Sequence, residues 1–141
     1  MTTHHNFVLQ CRSGEWITKP AEGKHYKVDL DLHVIDKTGR VLPEFELMCE
    51  SIYNDIQNPE GSGAATLEAI RKVESEESDL EELGGNAWYT FISASKVWFE
   101  GQYNQGEGGE VSFEQYKLAV QTYVRFLADR ERKPIEVEFP S

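Results

Sequence analysis

The chain has 141 residues, a length that fits one globular domain spanning residues 1–141. Its 25 acidic and 14 basic residues give a formal net charge of −11 at pH 7, which opposes direct binding of nucleic acid. Only three apolar residues follow the polar segment 1–6, too few for the core of a signal peptide, and no apolar run is long enough to span a membrane. We therefore expect a cytoplasmic protein with no membrane segment.

The two cysteines argue against a disulfide and against a zinc site. Cys11 and Cys49 lie in apolar, strand-like segments and lack the CxxC spacing of metal-binding or redox motifs. Thiols in such segments of intracellular proteins are usually buried and reduced. We expect no disulfide, no metal site and no cofactor.

The first 50 residues predict strands. Residues 7–11 form a short apolar run typical of a strand, and apolar and polar side chains alternate over residues 25–34, as in a strand with one buried face. Asp36 and Gly39 then suit the first and last positions of a turn. Together these patterns predict a β-hairpin over residues 25–50.

The outer face of this predicted hairpin is acidic. With residues 36–39 as the loop, Asp31 lies opposite Glu44 and Asp29 lies opposite Glu46. Directly opposed like charges destabilise a sheet, by roughly a few tenths of a kcal/mol each. Folding alone gives no reason for such an arrangement, so the face indicates a binding surface for a cationic partner.

A helix is the alternative for the second half of the hairpin. With Pro43 as the first helical residue, five apolar residues fall on one helical stripe. They are Phe45, Met48, Cys49, Ile52 and Ile56. This alternative would remove the opposed carboxylates, and the sequence leaves residues 41–57 open between strand and helix.

Two helices and a strand pair are predicted farther along the chain. After a break rich in Gly and Pro, residues 64–74 have the apolar spacing of a helix. Residues 113–132 predict a longer amphipathic helix that Ser112 caps. The aromatic segment 87–103 predicts one or two strands that turn near residues 94–96, and we expect this pair in the middle of a sheet.

Two shorter elements complete the predicted fold. Ser78 and Glu81 match the capping-box pattern of a helix that would end at Gly84 and Gly85, and residues 135–139 alternate as a final strand. The sequence thus predicts an α+β fold. We expect an antiparallel sheet of about five strands, with the long C-terminal helix and the shorter central helix packed on one face.

Two candidate sites for chemistry each have a plainer explanation. Asp29, Asp31 and His33 could converge on a metal ion, yet a flat strand face lacks the wrapping that hard cations need, so we expect a solvated face. A cysteine nucleophile would need a nearby imidazole. The predicted hairpin points Cys49 inward and both His25 and His33 outward, so we expect no catalytic residues.

A second acidic segment lies at residues 74–82, where six of nine residues carry carboxylates. Such charge runs usually face water, but this one could also meet a basic groove. Glu77 and Glu81 are therefore the second choice for a contact with a partner.

Size, acidity and the lack of a catalytic signature together predict a small protein-binding module of the inhibitor or immunity type. Such a module would neutralise a basic partner, for example a toxic nuclease, in the manner of bacterial immunity proteins. A structural or regulatory subunit and a carboxylate- or metal-dependent hydrolase are the alternatives. The predicted contact residues are Asp29, Asp31, Glu44, Glu46, Glu77 and Glu81. No pattern indicates the partner's identity, a substrate or the oligomeric state.

Overall fold

A computed structural model of the chain describes residues 6–14, 16–27, 30–86, 88–103 and 107–141. Within these ranges the fold is α+β, as predicted, with nine strands and three α-helices. The strands are β1 Phe7–Arg12, β2 Trp16–Lys19, β3 Lys24–Lys27, β4 Asp31–Asp36, β5 Glu81–Gly84, β6 Trp88–Ile92, β7 Val97–Gly101, β8 Glu107–Val111 and β9 Ile135–Phe139. The helices are α1 Glu46–Asp55, α2 Ala64–Glu74 and α3 Phe113–Ala128.

All strand pairs are antiparallel, but they form more than the single sheet that we predicted. One sheet has the order β4-β1-β9, a second has the order β5-β6-β7-β8, and β2 pairs with β3. The helices contact both larger sheets, since α1 touches β4 as well as β6 and β8, and α3 touches β1 and β9. The ring of Tyr116 in α3 also lies 6.0 Å from that of Phe99 in β7. The helices thus fill the space between two sheets instead of covering one face of one sheet.

The predicted hairpin over residues 25–50 is wrong. Its first strand is divided, because β3 pairs with β2 whereas β4 pairs with β1. The predicted turn does form, and Asp36 accepts hydrogen bonds from Thr38 and from the N–H of Arg40. These bonds, the one from the Thr38 hydroxyl first, lower the pKa of the Asp36 carboxyl. The returning chain then makes one bridge, Ile35 with Val41, one residue out of the predicted register.

Beyond that bridge the chain turns helical, so the helical alternative is confirmed. Pro43 has no N–H to donate to a strand ladder, and it begins a 3₁₀ turn, Pro43–Phe45, that leads directly into α1. All five residues of the predicted helical stripe are buried: Phe45, Met48, Cys49, Ile52 and Ile56. Asp31 therefore does not face Glu44 across a hairpin, and Asp29 lies outside the described residues.

The four-stranded sheet confirms the predicted aromatic strand pair. Strands β6 and β7 lie in its middle and are joined by a turn. In this turn the backbone N–H and the hydroxyl of Ser93 both donate to the Lys96 carbonyl, and the Ser93 hydroxyl accepts the backbone N–H of Lys96. The helix predicted at residues 78–85 is instead strand β5, paired with β6. The Ser78 hydroxyl donates to the Glu81 carboxylate (2.8 Å) and to the Leu80 carbonyl, whereas the oxygen of a helix-capping hydroxyl accepts a backbone N–H.

Helix α3 begins as predicted and ends earlier. Ser112 and Gln115 form the predicted capping box, with bonds of 3.0 and 2.9 Å. The helix ends at Ala128 rather than at residue 132, because the carboxylate of Asp129 accepts the backbone N–H groups of a turn that leads to β9. Its apolar face is buried as predicted, including Tyr116, Val120, Tyr123 and Leu127. In the described part of the chain, no helix has both the length and the apolar character needed to cross a membrane.

The core contains thiol and phenol groups whose ionisation opposes folding. Cys11 is fully buried, and burial raises the pKa of its thiol from 9.0 to about 12. Burial likewise raises the pKa of Tyr123 from 10.0 to about 12. A pKa that is higher in the native state means that the unfolded chain loses its proton first. The resulting stabilisation is complete below the unfolded pKa and is lost as pH rises toward the native one.

We therefore expect the free energy of unfolding to fall above about pH 9, by up to about 1.4 kcal/mol per pH unit for each such group. Urea denaturation between about pH 8 and 11 measures this decline. Cys11→Ala should make the decline shallower, because it removes one of the titrating groups. Val34→Ala, a truncation of another fully buried side chain in the same sheet, should lower stability and leave the slope unchanged. Equal slopes in both variants would contradict the assignment.

Candidate functional site

A cleft of about 500 Å³ lies between strand β4 and helix α1. Strand β4 supplies one wall, because its alternation sends Leu32 and Val34 into the core and turns Asp31 and His33 the other way. Helix α1 supplies the other wall with Glu46, Glu50 and Tyr53. These three residues are spaced i, i+4, i+7, so they follow one face of the helix.

We call this feature the acidic cleft, because three carboxylates line it: Asp31, Glu46 and Glu50. Within the described ranges, the basic side chain that lines the cleft is the imidazole of His33. His33 Nδ1 lies 2.9 Å from Glu46 Oε1, with both side chains partly exposed, at 34% and 43%. Among the described residues, no lysine or arginine forms an ion pair with any of the three carboxylates. The cleft therefore has an excess of negative charge.

Tyr53 adds an aromatic surface to the rim of the acidic cleft. Its side chain is 44% exposed, which makes it one of the few large hydrophobic side chains of the described chain that reach solvent. A tyrosine in such a position offers an apolar ring and a hydroxyl group to an approaching molecule, and its ring face attracts cations. The cleft can thus bind a positively charged group by both charge and contact.

Cys49 also lines the acidic cleft, as His33 does. The hairpin that was predicted to point these two side chains to opposite faces does not form. The thiol is nevertheless only 1% exposed. Burial, then the charge of Glu46, then Cys11 raise its pKa far above the ordinary value, so the thiol stays protonated at neutral pH. A protonated, buried thiol is a poor nucleophile.

The structure brings together two of the six predicted contact residues. Asp31 and Glu46 share the acidic cleft, although they reach it from β4 and α1 and not as neighbours in a hairpin. Glu44 is exposed on the 3₁₀ turn before α1 and does not line the cleft. Asp29 lies outside the described residues.

The second acidic segment is partly neutralised within the molecule. Glu77 Oε2 lies 2.7 Å from Arg71 Nη2, and Arg71 also binds Glu68. Glu74 forms an ion pair with Lys117, and Glu81 accepts the hydrogen bond from Ser78. Glu77 and Glu81 lie apart from the cleft, and their carboxylates already have partners. They are therefore weaker candidates for a contact than the cleft carboxylates.

Glu50 and Tyr53 also line the cleft and were not predicted as site residues. Their signal was present, because positions 46, 50 and 53 have helical spacing, but it is visible only if α1 is taken as a helix. The metal site considered at Asp29, Asp31 and His33 involves a residue outside the described ranges. Within those ranges, no three His, Cys, Asp or Glu side chains are placed to hold a metal ion.

A second, smaller cavity of about 90 Å³ lies at the other end of α1. Buried hydroxyl groups line it, and Ser51 Oγ lies 3.3 Å from Thr90 Oγ1. Asp55, at the end of α1, accepts the backbone N–H of Asn86 at 2.7 Å and so attaches the β5–β6 loop to the helix. These polar groups serve the connection between α1 and the four-stranded sheet.

The acidic cleft is thus the site with the most distinctive chemistry in the described chain. It has an open shape, an excess of negative charge and an exposed ring beside that charge. This combination suits the binding of a cation better than it suits nucleophilic catalysis. No protein-family model, curated protein or solved structure was found to match the chain.

Proposed function

We propose that the protein is a small binding module that neutralises a basic protein partner, as inhibitors of the immunity type do, and that the acidic cleft receives a lysine or arginine side chain of that partner. The observation that supports this proposal is the convergence of Asp31, Glu46 and Glu50 in one cleft with no lysine or arginine paired to them among the described residues. A toxic nuclease is one such partner, because its substrate groove must attract phosphate and is therefore basic.

The energetics favour a charged occupant from outside. Carboxylates that share a partly enclosed cleft repel one another, and a cation placed among them relieves that repulsion. The net charge of −11 adds long-range attraction that speeds the encounter with a basic partner. The exposed ring of Tyr53 supplies the aromatic contact that often anchors an interface.

A carboxylate-dependent hydrolase is the second candidate, favoured by the hydrogen bond between His33 and Glu46 in an open cleft. A histidine paired with a carboxylate can transfer protons in acid–base catalysis. This candidate requires turnover of a substrate, whereas the binding module requires only a stable complex. Loss of catalytic turnover in a Glu46→Gln variant would favour the hydrolase.

The test compares two variants of equal charge against a partner captured from the native host. Glu46→Gln/Glu50→Gln removes two carboxylates of the cleft, and Glu131→Gln/Glu138→Gln removes two exposed carboxylates elsewhere. We expect the cleft variant to bind about tenfold or more weakly, with slower and less salt-dependent association, while the control stays within about twofold. Stopped-flow association at two ionic strengths measures both effects.

Equal losses in the two variants would show that net charge, and not the cleft, determines binding. Unchanged binding by the cleft variant would exclude the acidic cleft as the contact site. Thermal unfolding of both variants is the accompanying control, because a cleft variant that is much less stable would indicate a structural role for Glu46, through its bond to His33.

A further inference from the structure

The four-stranded sheet has a second face that the helices do not bury. Trp88, Ile92, Val97 and Phe99 point toward the helices and are 4% exposed or less. The side chains that alternate with them point the other way and are partly or fully exposed. We call this surface the outer sheet face. Among the described side chains, it carries three aromatic and three acidic ones, namely Tyr89, Phe91, Trp98, Glu82, Glu100 and Glu110.

The strand register places rings beside carboxylates on this face. Glu82, Phe91, Trp98 and Glu110 form one row across the four strands, in which the Phe91 and Trp98 rings stack at 5.3 Å. In the next row Tyr89 lies directly opposite Glu100. Side chains opposed in this way have their Cβ atoms about 5 Å apart, close enough for one group to contact both.

One of these ring and carboxylate pairs already holds a cation from the chain itself. The ammonium group of Lys96 lies 5.3 Å from the centroid of the Trp98 ring and 3.1 Å from Glu110 Oε2. This distance is within the range of a cation–π interaction. On the outer sheet face, an aromatic ring and a carboxylate on neighbouring strands thus bind one positive charge together.

The pair of Tyr89 and Glu100 has the same chemistry without a cation of its own. Tyr89 is 41% exposed, and within the described ranges no lysine or arginine lies on its ring or pairs with Glu100. Gly84, opposite Tyr89 on the other side, leaves the ring uncovered: a Cβ at Gly84 would lie 3.5 Å from the ring atom Cε1. The ring and the carboxylate are thus both accessible from solvent.

We propose that the outer sheet face is a second docking surface, at which an arginine or lysine side chain of a protein partner binds between Tyr89 and Glu100. The surface lies on the four-stranded sheet, whereas the acidic cleft involves β4 and α1, so this proposal does not depend on the cleft. Phe91 and Glu82 lie opposite each other in the row two residues farther along the strands, about 7 Å from the row of Tyr89 and Glu100. An extended partner segment with basic residues at alternate positions matches that repeat.

A synthetic peptide of alternating arginine and serine is the probe, and a peptide with citrulline in place of arginine is its neutral counterpart. Isothermal titration calorimetry of the intact protein should detect binding of the arginine peptide only. Tyr89→Ala/Glu100→Gln should weaken binding about tenfold, because the ring and the charge are both lost. Gly84→Val should also weaken binding, since it covers the ring with no change in charge. Glu131→Gln/Glu138→Gln, which removes two exposed carboxylates away from both surfaces, should stay within about twofold of the unaltered protein. Glu46→Gln/Glu50→Gln is measured beside it to separate this face from the cleft.

Three outcomes would overturn the proposal. The citrulline peptide could bind as well as the arginine peptide, which would show that charge is not recognised. Tyr89→Ala/Glu100→Gln could bind the arginine peptide unchanged. The cleft variant alone could lose binding, which would place the basic peptide in the acidic cleft and leave the proposed function standing without a second surface.

Discussion

Replacing Phe126 by alanine is expected to lower the free energy of unfolding by about 3 to 5 kcal/mol, because it leaves a cavity in the centre of the fold. The Phe126 side chain is 0% exposed, and its ring lies 6.2 Å from that of Tyr123. Urea denaturation, followed by circular dichroism, measures the change. The neighbouring Leu127→Ala is expected to cost about 2 to 5 kcal/mol for the same reason.

Arg125→Ala is the matched control on the same helix, because the Arg125 side chain is exposed. It should change the free energy of unfolding by less than about 0.5 kcal/mol. A loss below about 1 kcal/mol in Phe126→Ala would contradict the placement of this face of α3 in the core.

The second large effect is expected from Gly85→Ala, at about 2 to 4 kcal/mol of lost stability. A Cβ atom at Gly85 would overlap the Cβ and Cγ atoms of Asp55. Asp55 would have to move, and it would then lose the hydrogen bond that it accepts from Asn86 at the β5–β6 loop. The adjacent Gly84→Ala is the control, because its Cβ would make only ordinary contacts, the nearest at 3.5 Å. We expect Gly84→Ala to be close to neutral.

A double-mutant cycle can assign the Gly85 effect to this contact. Asp55→Gly removes both the Cβ and the carboxylate, so Gly85→Ala should cost much less in that background than alone. Additive losses would show that the cost of Gly85→Ala arises elsewhere in the loop. Urea denaturation of the four proteins supplies the data.

Much of the fold could be predicted where the spacing of apolar residues agrees with the residues that begin and end helices and strands. Helix α2 spans the predicted residues 64–74, and α3 has the predicted capping box at Ser112. The sequence left residues 41–57 open between strand and helix, because the apolar residues in the first part of this segment suit both structures over so short a stretch. Only the continuation to Ile52 and Ile56, together with Pro43, distinguishes the two.

The elements that were missed depend on contacts between distant parts of the chain. Strand β5 has a poor strand sequence, Glu-Glu-Leu-Gly, and it forms because β6 offers an edge to pair with. The acidic cleft likewise requires that β4 pair with β1, which positions α1 beside it. Asp31 and Glu46 were predicted as contact residues from a hairpin that does not form. They nevertheless line the same cleft, because β4 lies beside α1. Charge alone indicated these residues, whereas the tertiary fold determines which residues lie beside them.

The order of the β4-β1-β9 sheet has a consequence for folding during synthesis. Strand β1 is the middle strand, and its two partners come from opposite parts of the chain, with Leu9 paired both to Val34 and to Val137. As the chain leaves the ribosome, β4 can pair with β1 early, but one edge of β1 has no native partner until β9 emerges. That open edge can recruit strands of other chains in the meantime. The nascent chain therefore has an edge of β1 that is open to aggregation from the time β1 emerges until β9 pairs with it.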